Sequence, residues 1–403
     1  MPKEDYRHSK EAVWLYLDRA NLSFFACQSE RAVEDYQRAI EAMDYYQIDL
    51  LREELSSLLL SEELKAYAGE DFEQIFARLY AAFALAQLKD WSNVHALLRQ
   101  AEEEQQRKKE LYRQAKATER YQIEEPLAKY LFALLLEKRG ELSNATILYR
   151  EARELFAQRG QLIAARQVEE DLKQMEQSKR EGKATLLLFL HQGAIGRKIS
   201  VLQPMTGMAL QIAEQILGSR ESLTLSNLPG IAIPKWEERK QLSFPTLSFS
   251  FLGQEHPFIL AASLDQLARL QLKKKIPLLA ARALIRLLLR RGALQIVRER
   301  EERGEEREEG RLTLSFLTDL FFLSSNLFTH ADTRSWRILP KELHFIRLDL
   351  PEGCYTLSPP PFSHEREQEI VLGKHQLFFV HWVTFSPQSV FSLPSSLPKG
   401  ECA

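Results

Sequence analysis

The most pronounced electrostatic feature of the sequence is a basic segment between Gln271 and Leu294, where seven lysines and arginines occur without one acidic residue. Arginines at every fourth position share one face of a helix, and leucines and alanines make the other faces apolar. Such a helix could bind phosphates or anionic lipid head groups. The alternative, which the apolar faces favour, is a packed amphipathic helix whose arginines reach solvent or pair with the acids of Glu299 to Glu309. The candidate contacts to an anion or a partner are Lys273, Lys274, Arg282, Arg286 and Arg290.

A second group of reactive side chains lies in the short stretch from Ala331 to Pro340, just before a predicted strand. It contains Asp332, Arg334, Trp336 and Arg337. A charge-assisted bond from the aspartate to either arginine would pin a turn, and the tryptophan would cover the edge of the core. We favour this structural role, and contact with a ligand is the alternative.

The sequence lacks the common motifs of metal-binding, phosphate-binding and dinucleotide-binding sites. Nine histidines and three cysteines occur without a His-Glu-x-x-His or a Cys-x-x-Cys spacing, so no metal site is predicted. Neither a phosphate loop nor a dinucleotide fingerprint is present. We therefore predict a non-enzymatic protein with no catalytic, metal-binding or cofactor-binding residues. The alternative is an enzyme of unknown reaction with its site near His330–Arg337, where His330 and Asp332 would supply a base and its orienting carboxylate.

The first half of the chain is predicted to be helical. In it a small residue, a bulky residue four positions later and an alanine three positions after that recur three times. This spacing is typical of the second helix of a tetratricopeptide-type hairpin, since it places all three side chains on one packing face. Gly140 lies before the last copy, where a positive φ would end the preceding helix. The copies are 62 and then 51 residues apart, which predicts an irregular array. The signature residues are Ala32, Tyr36, Ala39, Val94, Leu98, Ala101, Ala145, Tyr149 and Ala152.

Length and composition limit the possible partners and compartments. With 403 residues, 45% of them hydrophobic, the chain is globular and large enough for two domains. A formal charge of -2 gives no general attraction to nucleic acid or to an anionic membrane. We see no export signal and no apolar stretch long enough to span a membrane, so the sequence as written indicates the cytoplasm. The three cysteines lie far apart and predict no disulfide framework.

The pattern of apolar residues changes near position 181, where we place a domain boundary. Residues 1–181 are predicted to be a helical-repeat domain, and residues 182–403 an α+β domain with a charged loop near 298–311. Ala184 to His191 and Arg197 to Leu202 are predicted strands joined by a glycine-bearing turn. The fold class is therefore α+β with two domains, and the sheet is expected to be mainly antiparallel with helices on one side.

Further strands and two helices are predicted in the second domain. Gly230 to Pro234, Leu247 to Leu252 and Phe258 to Ala262 read as strands. Near the end, turns at Pro351-Glu352-Gly353 and Gly373-Lys374 predict hairpins that join Leu343–Leu350 to Tyr355–Leu357 and Glu369–Leu372 to Gln376–Thr384. The predicted helices are Leu264 to Arg291 and Leu312 to Phe328.

Several segments resemble an uncharacterised bacterial family that combines a tetratricopeptide-like helical half with a β-rich C-terminal domain. They are His191–Gly193, Ile231–Pro234, the basic helix from Pro277 to Arg291, Ala331–Pro340, Phe345–Gly353 and Tyr67–Phe72. Members of that family are often predicted envelope lipoproteins, so the resemblance implies the cell envelope or periplasm. It carries no activity and no catalytic residue.

These patterns favour a scaffold or adaptor whose helical groove binds a protein or peptide partner, with association to the cell envelope through the second domain. No nucleic-acid partner and no transmembrane segment are expected. Enzymatic activity near His330–Arg337 and peripheral membrane binding through the basic helix 273–291 are the two alternatives.

Overall fold

The computed structural model describes residues 9–52, 66–114, 124–180, 182–203, 231–239, 248–280, 283, 331–357, 368–386 and 389–392. Some predictions fall outside these ranges and are not discussed further in structural terms. They concern His330, Arg282, Arg286, Arg290, the helix Leu312–Phe328 and the charged loop near 298–311.

Seven helices form the described part of the first half. They are α1 (Ala12–Phe25), α2 (Ser29–Arg52), α3 (Asp71–Gln87), α4 (Trp91–Gln114), α5 (Pro126–Lys138), α6 (Leu142–Gln158) and α7 (Leu162–Glu176). Successive helices are joined by short turns in the pairs α1–α2, α3–α4, α5–α6 and α6–α7. Pro126 opens a helix: it is the first residue of α5, where the missing N–H costs no intrahelical bond. The side chain of Glu125 caps the same helix by accepting the N–H of Leu127 at 3.3 Å.

The turns between paired helices share one geometry. Each contains a residue in the left-handed region, namely Cys27 (φ 64°), Lys89 (φ 59°), Gly140 (φ 79°) or Gly160 (φ 74°). At each turn the N–H groups of the left-handed residue and of the residue after it donate to carbonyls of the preceding helix, as from Gly140 to Glu137 and from Glu141 to Leu136. The three signature copies begin five residues after the first three of these turns, and all nine side chains are buried. The signature therefore marks one repeated helix–turn–helix unit.

A five-stranded sheet forms the centre of the second half. Its strand order is β11-β10-β1-β7-β6, with β10 and β1 parallel and the other pairs antiparallel. Three two-stranded sheets accompany it, β2–β3, β4–β5 and β8–β9, and a helix, α8, covers residues 264–280. The strands are β1 (Ala184–Gln192), β2 (Arg197–Gln203), β3 (Ile231–Glu237), β4 (Ser248–Phe251), β5 (Gln254–Pro257), β6 (Ile259–Ser263), β7 (Glu342–Leu350), β8 (Gly353–Leu357), β9 (Gln368–Leu372), β10 (Leu377–Ser386) and β11 (Ser389–Ser392).

The predicted α+β class is confirmed at this level: the first half is helical and the second half contains antiparallel-rich sheets. The predicted positions of the strands agree with the structure, but three predicted pairings are wrong. β1 pairs with β10 and β7 instead of β2, and β2 pairs with β3. β8 pairs with β9, so neither turn predicted near the C-terminal end joins a hairpin. Turn residues indicate only which neighbouring strands could pair. β1 is buried on both faces, so its partners depend on tertiary packing with distant parts of the chain.

The central sheet is buried on both faces. Leu187, Phe189 and Phe345 point into the core that the helices complete. Leu188 and Ile346, on the other face, join a second core closed by Phe249 and Phe251 of β4 and by residues of β9. Successive side chains of a strand alternate between faces, so the nine buried residues of β1 divide between the two cores. The helices of the first half and two of the small sheets, β4–β5 and β8–β9, therefore pack on opposite sides of the central sheet.

The cysteines require a second correction. Cys354, on β8, is disulfide-bonded, although the spacing of the three cysteines predicted no disulfide. Its partner lies outside the described residues. Separation in the sequence is a poor guide here, because strand pairing brings distant positions of this chain close together.

Candidate functional site

The predicted segment Ala331–Pro340 connects the two halves of the molecule. Asp332 accepts the backbone N–H of Arg334 at 3.0 Å and two guanidinium N–H groups of the same residue at 2.9 Å each. This is the predicted pinning bond, formed with Arg334 and not with Arg337. Arg334 also lies over the ring of Tyr67, 5.3 Å from its centroid, and its carbonyl accepts the ammonium of Lys198 at 2.9 Å. The segment is held on both sides.

The aromatic part of this segment is an anchor in the core. Trp336 is fully buried, and its backbone N–H donates to Glu73 of α3 at 2.8 Å. Arg337 stacks on Trp14 of α1 with 4.3 Å between guanidinium carbon and ring centroid, and its N–H donates to Asp18 at 2.8 Å. Burial raises the pKa of Asp18 to about 6 against the opposing effect of these backbone donors. The contacts tie the segment to α1 and α3.

Acidic residues at the start of α3 form ion pairs with lysines from distant positions in the sequence. Glu70 pairs with Lys198 of β2 and, at 2.6 Å, with Lys275 of α8. Asp71 pairs with Lys108 of α4 at 2.8 Å. Burial alone would raise the pKa of Glu70, but its two lysines outweigh that cost and lower it to about 2.

The described part of the predicted basic helix thus faces in two directions. Lys273 is exposed and Lys274 is half-buried, whereas Lys275 is turned toward α3. No acid of α3 was predicted as a partner. The first turn of a helix attracts acidic residues through its dipole, and that signal could have identified Glu70, Asp71 and Glu73 as an anchoring group.

A buried network joins the helices to the sheet at a second place. The guanidinium of Arg347 on β7 contacts Asp349 at 3.0 Å, the hydroxyl of Tyr149 at 3.0 Å and Glu137 of α5 at 3.3 Å. Arg180 adds a 2.5 Å contact to Asp171 of α7. Burial would lower the pKa of Arg347, but Tyr149, Asp171 and Asp349 raise it well above its ordinary value, so the charge is retained.

Two histidines lie at the centre of the helix–sheet interface. The Tyr80 hydroxyl is 2.9 Å from Nδ1 of His191, and Nε2 of His191 is 3.0 Å from Nδ1 of His381. Nε2 of His381 is buried without a hydrogen-bond partner among the described residues. Burial lowers the pKa of His191 to about 3, and it also lowers that of His381 with a contribution from the first imidazole. Both rings are neutral, surrounded by phenylalanines such as Phe24 and Phe83.

The face of the first helices is covered by the chain's own sheet. Phe83 of α3 packs 4.8 Å from Phe189, and Tyr130 of α5 packs 5.2 Å from Phe345, measured between ring centroids. Consequently α3 is buried on all sides from Asp71 to Ala86. The helical face that packs on the sheet contacts β1, β7 and β10.

An open cleft remains where the helical turns meet the start of β10, and we call it the basic pocket. Its volume is about 410 Å³. It lies between the α3–α4 turn, the end of α5 and the residues that enter β10. Its lining residues are Lys89, Trp91, Leu135, Lys138, Arg139, His375, Gln376, Leu377 and Phe378.

The lining of the basic pocket combines an apolar floor with basic groups and includes no acid. Lys138 donates one hydrogen bond, to the carbonyl of Lys183 at 3.2 Å. Burial lowers the pKa of Lys138, and the attraction of Asp349 and Glu137 is opposed by repulsion from Arg347 and Arg180. Arg139 pairs with Glu141 at 3.4 Å, but both side chains are about half exposed, so water screens that pair.

No sequence pattern predicts this pocket, because its residues come from three distant stretches of unremarkable composition. Only the left-handed residues Lys89 and His375, both non-glycine, distinguish its rim. The predicted contacts Lys273, Asp332, Arg334 and Arg337 do not line it.

Comparisons with family models, with curated proteins and with solved structures found no match to this chain. Among the described helices, none has the length and hydropathy needed to cross a membrane. In the same part of the chain, no three histidine, cysteine, aspartate or glutamate side chains are grouped so that they could hold a metal ion.

Proposed function

We propose that this protein is a non-enzymatic scaffold that binds a protein or peptide partner, with a tetratricopeptide-like helical array as its framework. The repeated helix–turn–helix units support this proposal, because stacked hairpins present extended surfaces on which partners dock. The helical face that packs on the sheet is buried, so we place the partner at the edge of the array, over the basic pocket. The absence of acids from the lining of this open, apolar-floored cleft is the observation that carries the placement.

Residues of the segments considered for catalysis and for anion binding support the same reading. Asp332 directs its bonds to Arg334, and Lys275 is paired with α3. These groups hold the two halves together. We therefore assign them to the framework and the basic pocket to recognition.

We also propose association with the cell envelope. The disulfide at Cys354 supports an oxidising compartment, since cytosolic thiols are generally kept reduced. The resemblance to a family of predicted envelope lipoproteins supports the same location.

Co-purification from native cells tests the binding proposal, with envelope and soluble fractions kept apart. The variant Lys89→Glu/Arg139→Glu reverses two exposed charges of the pocket, and Arg99→Glu/Lys173→Glu reverses two exposed charges elsewhere on the array. We expect the first pair to lose the partner and the second to retain it. Equal recovery by both folded variants would contradict the placement.

A further inference from the structure

We propose that the basic pocket recognises a carboxylate joined closely to an apolar group. Such a group occurs at the C-terminus of a peptide that ends in an apolar residue and in small aryl or alkyl acids. The inference rests on the proposed function, because it names the chemistry that the partner presents.

The floor of the pocket provides the apolar contact. Trp91 begins α4 and is half-buried, and its ring stands perpendicular to that of Phe379 with 5.5 Å between centroids. Leu135 of α5 and Leu377 of β10 complete the floor, and both are almost fully buried. These side chains are held by the core, so the floor needs little ordering when a ligand binds.

The basic groups around this floor select for negative charge. Lys89, Lys138 and His375 have no carboxylate partner among the described residues, and Arg139 has only its screened pair with Glu141. Lys89 lies in the α3–α4 turn, and Lys138 and Arg139 lie at the end of α5, so their positive charges converge only in the folded protein. A ligand with one anionic head is attracted to the cleft, and a cation is repelled.

Lys138 is the group best placed to contact the anion. An ammonium has three donors, and the carbonyl of Lys183 accepts one of them, which leaves two for a ligand. Asp349 and Glu137 attract this ammonium and Arg347 and Arg180 repel it, but neither carboxylate forms an ion pair with it among the described residues. A charge-assisted hydrogen bond to the carboxylate of a ligand would give Lys138 the anionic partner that the described residues do not provide.

The size of the cleft limits the ligand. A volume of about 410 Å³ lies toward the small end of binding pockets, and it suits a carboxylate with one ring or one branched side chain. Two sources share this chemistry, a peptide C-terminus and a small free acid. The apolar floor distinguishes both of them from inorganic phosphate.

Calorimetric titration of the full chain tests the inference with three probes. They are acetyl-Gly-Gly-Phe, 3-phenylpropanoate and inorganic phosphate, and the first two are each compared with the corresponding amide. We expect at least one acid to bind about tenfold more tightly than its amide and than phosphate, because the acid alone fits both the floor and the cations. Tighter binding of the peptide indicates a chain terminus, and tighter binding of phenylpropanoate indicates a small acid.

The variant Lys138→Met keeps the aliphatic stem and removes the ammonium. It should weaken binding of the preferred acid about tenfold, whereas Lys173→Met, which removes an exposed lysine on α7, should leave the affinity unchanged. Equal binding of acid and amide, or full affinity in Lys138→Met, would overturn the inference. If neither acid binds but Lys89→Glu/Arg139→Glu still loses its partner, the ligand chemistry fails and the proposed function stands. If an acid binds and that variant retains its partner, the proposed docking of the partner fails instead.

Discussion

At the scale of single residues, Asp332 and the two central histidines show how this chain uses its ionisable groups. Asp332 satisfies the guanidinium and the backbone N–H of Arg334, and this fixes the segment that carries Trp336 into the core. The imidazoles of His191 and His381 are kept neutral between helices and sheet. In both places polar chemistry determines the packing of neighbouring elements.

The change Asp332→Ala should lower the free energy of unfolding by about 1–3 kcal/mol, because it removes two hydrogen bonds from a mostly buried guanidinium. Urea denaturation measures this loss. The control Glu103→Ala removes an acid from an exposed pair with Arg99 and should cost less than about 0.5 kcal/mol. Equal effects of the two changes would contradict the pinning role of Asp332.

Acid should destabilise the protein through His191. Its pKa is about 3 when folded and about 6.5 when unfolded, so protons bind preferentially to the unfolded chain, and stability falls as the pH drops below 6.5. Between pH 7.5 and pH 5 the loss from this residue is about 2 kcal/mol. Asp18 acts in the opposite direction, since its pKa of about 6 lies above the unfolded value, and it restores about 1 kcal/mol.

The contribution of His191 is therefore measured as a difference between variants. The unfolding free energy of His191→Gln should lose about 2 kcal/mol less than that of the wild type between pH 7.5 and pH 5. His256→Gln, on β5, should retain the wild-type dependence on pH. If His191→Gln also shows the wild-type dependence, burial of a neutral imidazole does not control acid stability.

At the scale of elements, the helices follow from local sequence and the strand partners do not. The first three left-handed turns precede a small residue by five positions, and Gly140 and Pro126 mark helix ends by their backbone requirements. Strand positions are also visible, because runs such as Leu186–Leu190 are apolar throughout. Pairing of β1 with β10, however, depends on covering both faces of one strand, and no turn residue encodes that.

The candidate site shows the same limit. Asp332, Arg334 and Trp336 were recognisable because they are adjacent in the sequence, and their structural role was foreseen. Their partners Glu73 and Lys198 come from other elements, as do the three stretches that line the basic pocket. Groups assembled by tertiary packing carry no local pattern.

The repeated unit makes a direct prediction about α6. Ala145 is fully buried against the paired helix, so Ala145→Leu should overpack the hairpin and lower the unfolding free energy by about 1–3 kcal/mol. Thermal denaturation followed by circular dichroism measures this change. Asn144→Leu adds the same side chain at the exposed neighbouring position and should cost less than about 0.5 kcal/mol. A tolerated leucine at position 145 would mean that the helices do not pack as closely as described.

At the scale of the whole molecule, helices and sheet share one continuous core. The helical faces of α1, α3 and α5 and the inner face of the sheet belong to the same group of buried residues. The network around Arg347 and the segment carrying Trp336 bridge the same interface. The array is thus a framework whose inner surface is already filled, and recognition is left to its edge.

Loss of the bridging charge should destabilise both halves together. Arg347→Met leaves Glu137, Asp171 and Asp349 with fewer cations and should cost about 3–5 kcal/mol. Far-ultraviolet circular dichroism and tryptophan fluorescence should shift to the same lower urea midpoint. Arg150→Met, an exposed position on α6, should leave both midpoints in place. A shift in only one signal would show that the halves unfold independently.

The most direct test of the account is photo-crosslinking in native cells from a benzoylphenylalanine placed at position 375, on the rim of the basic pocket, compared with one at position 99 on the outer face of α4. We predict one dominant crosslinked partner from position 375, absent from position 99 and lost when Lys138→Met is added. A partner that crosslinks equally from both positions, or that co-purifies fully without crosslinking at position 375, would contradict recognition at this edge of the array.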